Sequence, residues 1–200
     1  MTAHMKHKHL LIFGSFMVVA WAVGTFLFIY FWPHIVLNHF RKAILDKGFG
    51  GGPVPINTLY TEPQNLFADP ITAQSASASN LMTTGVNHDT LLTGGWLDLS
   101  KGALVLHVPA MPDRYYSVQF TDSADGSDFA YVGTRTTGSQ AGDYLITGPG
   151  WKGSVPQGMK QISSPNNSVL VIGRVLVESD SDLATAYDLA KQIQLTPLNQ

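Results

Sequence analysis

The stretch ALVLHVPAMPDRYYSVQFT, residues 103–121, has the residue pattern that decides the fold of this chain. Two runs rich in branched and aromatic residues, 103–109 and 115–121, flank the sequence Met-Pro-Asp-Arg. Branched and aromatic residues favour strands, and proline followed by aspartate favours a turn. The stretch therefore predicts two strands of an antiparallel sheet.

The same pattern recurs on both sides of this stretch. It predicts further strands at residues 91–97, 129–133, 144–147 and 169–177. Residues 179–182, Ser-Asp-Ser-Asp, are helix-capping types ahead of LATAYDLAKQIQ, which predicts a C-terminal helix that ends near Thr196 and Pro197. Six or seven short strands at this spacing predict a mainly β body, an antiparallel β-sandwich closed by that helix.

A long apolar run lies ahead of the body. Residues 10–32, LLIFGSFMVVAWAVGTFLFIYFW, contain no ionisable acid or base. A helix of this length reaches about 34 Å, which is enough to cross a hydrocarbon core of about 30 Å. The alternatives are a buried core helix and a cleavable signal peptide. The small-x-small sequence Ala20-Trp21-Ala22 lies inside the run, so we expect a retained transmembrane helix.

The chain divides into four parts on this basis. Residues 1–9 form an N-terminal tail, residues 10–32 the transmembrane helix, and residues 54–200 the β-sandwich domain, whose first part to residue 85 is an irregular arm. Residues 33–53 hold a juxtamembrane stem and a glycine-rich hinge. The stem keeps apolar residues at helical spacing, so we expect the helix to run on past Pro33, with or without a kink.

Composition and charge exclude several classes of protein. Of 200 residues, 44% are hydrophobic and only 13% are charged, and cysteine is absent. The chain therefore has no disulfide, no thiolate zinc site and no cysteine nucleophile. Residues 1–47 carry five basic and one acidic side chain, and the rest carry seven and thirteen. A small basic end on an acidic body is typical of a membrane-attached domain and indicates a lipid bilayer, not nucleic acid, as partner.

Two motifs match known ligand-binding patterns only in part. GPGWKG at residues 148–153 fits a dinucleotide fingerprint, but the following SVPQG does not predict the required helix, so we expect a turn that packs Trp151 on the body. TDSADGSDF places Asp122, Asp125 and Asp128 three residues apart, which is not the alternate spacing of a calcium loop and favours an acidic hairpin. His107 lies in a predicted strand as a half-buried or solvent-facing side chain, and His88 is adjacent to Asp89.

One group of polar residues is the candidate site. Its members are Asn87, Asp89, Arg114, Tyr115, Asp122 and Arg135. A buried arginine must be paired, and Asp89 or Asp122 could accept two hydrogen bonds from it. The group is therefore either a structural ion-pair network or a cleft for a ligand or reaction. The body shows no G-x-S-x-G elbow and no set of three metal ligands at sensible spacing, so no metal or cofactor is expected.

Several spaced motifs resemble a known family. They are NHDTL at 87–91, LDLSKG at 97–102, DRYY at 113–116, GTRTTG at 133–138, GDY at 142–144, GPGWKG at 148–153, IGR at 172–174 and Asp182-Leu183. Over residues 60 to 198 they resemble the bacterial domain of unknown function 1254, with departures at His88 and Leu92. The resemblance implies an immunoglobulin-like β-sandwich and no settled activity.

The resemblance also implies a partner. Longer relatives carry a second β-domain, the domain of unknown function 1214, directly after this one. We expect a separate membrane-anchored chain with that domain to dock near the C-terminal helix, with self-association through the transmembrane helix as the alternative.

The function expected is a membrane-anchored accessory or binding module in the bacterial inner membrane, with its body in the periplasm. The alternative is a hydrolase-like enzyme on a lipophilic or cell-envelope substrate, with Asp89, Arg114 and Arg135 in its cleft.

Overall fold

The computed structural model of the chain describes residues 2–48, 52–61 and 89–198, and the side chains from residue 13 onward within those ranges. A long helix leads into a body made mostly of strands. The mainly β class that the sequence predicts is confirmed. Asn87 and His88 lie outside the described residues.

The first helix, α1, spans Thr2–Lys47 and contains Pro33 in its interior. Its apolar side chains are exposed, Trp21 by 73% and Phe16 by 67%. Within the described residues, this is the one helix long and apolar enough to cross a membrane. The helix ends at Lys47, and the following Gly48 has a φ of +65° and donates its backbone N–H to the carbonyl of Ile44 at 2.9 Å. A glycine at positive φ is a common helix terminator, as the sequence predicts.

The described part of the body contains nine strands, one further α-helix and two single-turn 3-10 helices, Leu99–Lys101 and Asp180–Asp182. In chain order the strands and the α-helix are β1 (Tyr60–Thr61), β2 (Thr90–Asp98), β3 (Leu104–Val108), β4 (Tyr116–Asp122), β5 (Asp128–Gly133), β6 (Gly142–Thr147), β7 (Lys160–Ser163), β8 (Ser168–Leu176), α2 (Leu183–Lys191) and β9 (Gln194–Pro197). Five strands form an antiparallel sheet in the order β1-β2-β8-β4-β5. Four form a mixed sheet in the order β7-β6-β3-β9, in which β6 and β7 run parallel.

Strand alternation places the core. On β4, Tyr116, Val118 and Phe120 are fully buried. Because successive strand residues point to opposite faces, Ser117 and Gln119 lie on the outer face of the five-stranded sheet. Buried side chains from the inner faces of both sheets and from α2 form the main cluster, which includes Leu97, Leu106, Phe120, Ile146, Val171 and Ala186.

The end of α1 packs on the outer face of the five-stranded sheet. Ile44 is 1% exposed and forms a cluster with Trp96, Leu170 and Val54. The indole nitrogen of Trp96 donates to the hydroxyl of Ser168 at 2.8 Å. The stem is therefore attached to the body by buried contacts, and α1 shares this sheet face with the polar side chains described below.

The C-terminal helix differs from the sequence prediction. Helix α2 ends at Lys191, because residues 194–197 leave the helix and pair with β3 as strand β9. The expected end near Thr196 and Pro197 is therefore wrong. The expected capping is also not observed: neither Ser179 nor Asp182 makes a side-chain cap hydrogen bond. The Asp182 carboxylate binds Arg114 instead.

Candidate functional site

The structure brings part of the predicted polar group to one end of the five-stranded sheet. The backbone N–H of Leu176 donates to the carbonyl of Tyr115 at 2.9 Å, and that of Val177 to the carbonyl of Asp89 at 2.8 Å. Arg135 lies over the ring of Tyr115, 5.2 Å from its centroid.

Asp122 lies at the opposite end of β4. It is separated from Arg114 by eight residues of mostly extended chain, about 26 Å. Asn87 lies outside the described residues. The six predicted residues therefore do not form one site.

Arg114 has a partner that the sequence analysis did not name. Its two terminal nitrogens lie 2.6 Å from the two carboxylate oxygens of Asp182, and one of them also donates to the carbonyl of Leu176 at 2.5 Å. The pairing with Asp89 or Asp122 is therefore wrong. The hydrogen bond with Asp182 raises the pKa of Arg114 and is the largest cause that lowers the pKa of Asp182, to about 2. Three of the five guanidinium N–H groups are used in these contacts, and the charge is neutralised by Asp182, so this side chain holds the fold together.

Asp122 also has a local structural role. It is 5% exposed and accepts two contacts from the side-chain nitrogen of Asn166, at 2.7 and 2.9 Å. It also accepts a hydrogen bond from the backbone N–H of Ala124 at 2.8 Å. Asp125 accepts from the backbone and hydroxyl of Ser127 in the same turn. These contacts build the acidic hairpin between β4 and β5 that the sequence predicts.

A cleft opens on the outer face of the five-stranded sheet, beside the Tyr115 end of β4. We call it the arginine cleft; its defining residues are Tyr115, Ser117, Gln119, Tyr131, Arg135 and Arg174. Its volume is about 470 Å³, within the range of small-molecule sites. Register explains the grouping, since Ser117 is paired with Arg174 on β8, and Gln119 with Tyr131 on β5.

Two arginines in the cleft lack an acidic partner. Arg174 is half-buried on a central strand, and Arg135 is exposed on the turn that follows β5. Across the described residues, neither guanidinium has a carboxylate within ion-pair distance. A half-buried cation is stabilised by an anion, and the guanidinium fork matches carboxylate and phosphate. The cleft therefore presents free positive charge to a ligand.

A carboxylate is held at the side of the cleft by neutral donors. Burial by itself would raise the pKa of Asp128, but that pKa is lowered because hydrogen bonds stabilise the charged form. Thr121, Tyr131 and Gln119 donate to it at 2.6, 2.5 and 2.8 Å. The charge of Arg174 lowers the pKa further. The bond to Asp128 in turn raises the pKa of Tyr131.

A tight turn positions Arg135. The backbone N–H groups of Thr136 and Thr137 both donate to the carbonyl of Gly133, at 3.0 and 2.8 Å. A Cβ at Gly133 would collide with the carbonyl oxygen of Tyr116 and lie 2.8 Å from the Cα of Ser117. Glycine at this position therefore lets the turn approach β4 and places Arg135 over Tyr115.

The remaining motifs have structural roles. GPGWKG forms a turn after β6, and the described residues after it, to 159, contain no helix, while Trp151 packs against the buried Ala103, Val105 and Leu145. The expected turn that packs Trp151 on the body is confirmed. His107 is exposed, as one of the two expected placements had it, and its Nδ1 lies 2.7 Å from a carboxylate oxygen of Asp143.

Sequence reasoning missed Arg174, Tyr131 and Gln119. A signal for Arg174 was present, since it is the single charged residue in the nine-residue run SVLVIGRVL that forms β8. A lone charge in an apolar strand indicates either a buried pair or a ligand. Tyr131 and Gln119 gave no such signal, because polar residues on the outer face of a sheet are ordinary.

Comparisons with known proteins identify the fold and the family. The crystal structure of the VPA0106 protein from Vibrio parahaemolyticus is similar with a TM-score of 0.65 and 22% identity, over 86% of this chain and 37% of that one. An uncharacterized protein from Burkholderia cenocepacia is similar with a TM-score of 0.38 and 13% identity, over 60% of this chain and 31% of that one. No curated protein matches the chain.

The likeness to the Vibrio protein is a likeness of fold. This chain spans 37% of that protein's length. The family model described as "Protein of unknown function (DUF1254)" matches residues 69–197, which is more than half of the chain. The protein therefore belongs to the DUF1254 family.

Proposed function

We propose that this protein is a membrane-tethered binding module whose ligand site is the arginine cleft, and that the ligand is a small anion. The observation that carries the proposal is the pair of arginines, Arg135 and Arg174, that face one cleft without a carboxylate in ion-pair distance among the described residues. A ligand anion would supply the missing partner.

The contrast with Arg114 supports this assignment. Arg114 uses its guanidinium in a two-bond contact with Asp182 and a further bond to Leu176. Its charge is already neutralised by Asp182, which argues against the part of the hydrolase-like alternative that placed Arg114 in a cleft with Asp89 and Arg135. Arg135 instead lies over the aromatic ring of Tyr115. Arg174 interacts with the charge of Asp128 at a distance, without forming an ion pair.

We propose that α1 is the membrane tether and that the bilayer is the bacterial inner membrane. The exposed apolar side chains of α1 and the bacterial source of the similar Vibrio structure support this. A periplasmic body is part of the proposal. Because Ile44 near the end of α1 is buried against Trp96 of the body, the body would lie close to the membrane and have little freedom to move relative to α1.

Two finer expectations are also proposals. The first is that the two sheets are the layers of an immunoglobulin-like sandwich, supported by the core cluster that both sheets share. The second is a separate partner chain with a domain of unknown function 1214 that docks near α2. A groove of about 440 Å³ between β1, α2 and β9, lined by Tyr187 and Leu195, supports this location. Co-purification from detergent-solubilised membranes tests the second proposal, and recovery of this chain alone would contradict it.

The ligand proposal is tested on the full chain in detergent by thermal unfolding with small charged probes. The anions are acetate, benzoate, inorganic phosphate and phenyl phosphate, and benzamidine serves as a cationic counterpart. We expect at least one anion to raise the melting temperature of the wild type, because a ligand that binds the folded state stabilises it. Benzamidine should give no rise.

The matched variants separate the cleft from general charge. The double variant Arg135→Ala, Arg174→Ala removes the cleft cations, and Lys101→Ala, Lys160→Ala removes two exposed cations elsewhere on the body. The rise should disappear in the first and persist in the second. An equal rise in both, or no rise with any anion, would contradict the proposed site.

A further inference from the structure

The charged side chains around the arginine cleft determine which ligand charge the cleft favours. Arg135 and Arg174 contribute two positive charges, and Asp128 contributes a negative charge that interacts with Arg174. The local balance is about one positive charge, which a monoanion neutralises. A dianion would bring excess negative charge close to Asp128, and like charges at short range repel. The balance therefore favours a carboxylate over a phosphate monoester.

Aromatic rings line the cleft beside its cations. The ring of Tyr115 lies under the guanidinium of Arg135, and the Tyr131 side chain is 43% exposed. Planar guanidinium and phenol groups offer flat surfaces on which another planar group can stack. These walls favour a flat ligand over a bulky aliphatic one.

On the side of the cleft away from the arginines, the side-chain atoms that remain available to a ligand are hydrogen-bond acceptors. The side-chain nitrogen of Gln119 donates to Thr121 at 3.2 Å and to Asp128 at 2.8 Å, and within the described part of the chain its carbonyl oxygen accepts no hydrogen bond. The Tyr131 hydroxyl uses its one hydrogen in a hydrogen bond to Asp128, so only its oxygen lone pairs remain for a ligand. A ligand that reaches this point is expected to bring a hydrogen-bond donor.

Strand register sets the backbone separation between Arg174, at the cation end of the cleft, and Gln119, at its acceptor end. Arg174 is paired with Ser117, and Gln119 lies two residues further along β4. Two residues of strand place the backbones of these two positions about 7 Å apart, so the cation end and the acceptor end of the cleft are separate, and a ligand that meets both carries its polar groups at different points of its ring.

From these features we propose that the arginine cleft binds an aromatic monocarboxylate with a hydroxyl group opposite its carboxylate. The carboxylate lies between Arg135, which itself covers the Tyr115 ring, and Arg174. The ligand ring lies along Tyr131, and the hydroxyl donates to the Gln119 carbonyl. This inference rests on the proposed function and narrows its ligand to one chemical class.

The test uses isothermal titration of the full chain in detergent at neutral pH. Four probes are compared: 4-hydroxybenzoate, 4-methoxybenzoate, cyclohexanecarboxylate and phenyl phosphate. We expect 4-hydroxybenzoate to bind most tightly. Arg174→Ala should weaken it about tenfold or more, since charge-assisted hydrogen bonds are lost. Arg135→Ala, which changes an exposed side chain, should weaken it in the same direction and checks the result if Arg174→Ala unfolds.

A second variant tests the donor end. Gln119→Met removes the acceptor at similar size, together with the hydrogen bonds that Gln119 donates to Thr121 and Asp128. Thr121 and Tyr131 still donate to Asp128. The variant should bring the affinity for 4-hydroxybenzoate down to that for 4-methoxybenzoate and leave the latter nearly unchanged. Lys160→Ala, on the other sheet, is the control and should change neither.

The contrary results fall into two kinds. If phenyl phosphate binds more tightly than 4-hydroxybenzoate and depends on Arg174, the ligand class is wrong while the proposed anion site stands. The ligand class is also wrong, and the anion site again stands, if cyclohexanecarboxylate binds as tightly as 4-hydroxybenzoate. If no probe binds, or if binding is unchanged in both arginine variants, the ligand class and the proposed site fail together.

Discussion

Arg114 and Asp182 are joined by two parallel contacts, each 2.6 Å long, between residues that are 68 positions apart in the chain. The side chains are only 12% and 17% exposed. The pair connects the segment just ahead of β4 to the 3-10 turn that leads into α2. An ion pair of this geometry that is mostly shielded from water contributes more than an exposed one.

We expect Arg114→Ala to destabilise the protein by about 2 to 3 kcal/mol, between the values for exposed and fully buried pairs. The loss arises because the Asp182 carboxylate is left without its partner. Urea unfolding of the full chain in detergent measures it. Arg135→Ala is the control, with an expected cost below about 1 kcal/mol, since Arg135 makes a ring contact at an exposed site. Equal costs for the two variants would contradict the structural role given to Arg114.

The same pair predicts a pH dependence. The hydrogen bond from Arg114 lowers the pKa of Asp182 from 3.8 to about 2. Because the folded pKa is below the unfolded one, the contribution of this group is complete above about pH 4. It is lost as the pH falls through about 2, and its size is about 2 kcal/mol.

The Asp182→Asn variant isolates this contribution. The free energy of unfolding, measured from pH 6 to pH 2, should fall less steeply below pH 4 in the variant than in the wild type. The pKa values of Asp98 and Asp128 are also lowered, so part of the acid dependence should remain in the variant. Identical slopes for the two proteins would show that the pair does not form in solution.

Packing of α1 on the sheet predicts a position-dependent effect within one helix. Ile44 is 1% exposed against Trp96 and Leu170, and Ile35 is 52% exposed. Ile44→Ala should lower the free energy of unfolding by about 2 kcal/mol or more, because it leaves a cavity. The chemically identical change Ile35→Ala should cost less than about 0.5 kcal/mol. Urea unfolding followed by tryptophan fluorescence distinguishes them, and similar losses would argue against the docked stem.

The turn that carries Arg135 predicts a steric effect. Gly133→Ala adds a Cβ that meets the backbone of Tyr116 and Ser117, so it should cost about 1 to 3 kcal/mol. Gly14→Ala adds the same atom where no atom lies within 4 Å, and it should not destabilise the protein. Thermal unfolding measures both changes. A neutral Gly133→Ala would show that the turn does not approach β4 as described.

The proposed membrane orientation predicts the behaviour of a reporter. With α1 as a single span and the body in the periplasm, alkaline phosphatase fused after residue 200 should be active. Green fluorescent protein at the same position, exported unfolded, should be dark. An inactive phosphatase with a bright fluorescent fusion would reverse the orientation.

The strands with clear alternation were predictable from sequence to within about two residues. Residues 91–97 and 115–121 were expected as strands, and β2 and β4 span Thr90–Asp98 and Tyr116–Asp122. Their pattern follows from burial on a sheet face. Strand β7, Lys160–Ser163, escaped prediction because its side chains are mostly exposed and Ile162 is its one apolar residue. Strand β9 escaped because its residues continue a helical pattern and become a strand only by pairing with β3.

The candidate site was less accessible to sequence reasoning. The sequence analysis named Arg114, Tyr115 and Arg135 as candidates. Nothing in the sequence indicated that Asp182 would form an ion pair with Arg114. Such a partner is fixed by tertiary packing alone. Arg174 was visible as a lone charge in an apolar strand, yet its position beside Ser117 depends on the pairing of β8 with β4.

Arg174 is proposed to serve a ligand, whereas Arg114 serves the fold. The most direct test of this division is titration of 4-hydroxybenzoate into the full-length Arg174→Ala variant, with its melting temperature measured in the same detergent. We predict that binding weakens about tenfold or more while the melting temperature stays within a few degrees of the wild type. Unchanged binding, or a fall in melting temperature as large as that of Arg114→Ala, would contradict the proposed division of roles.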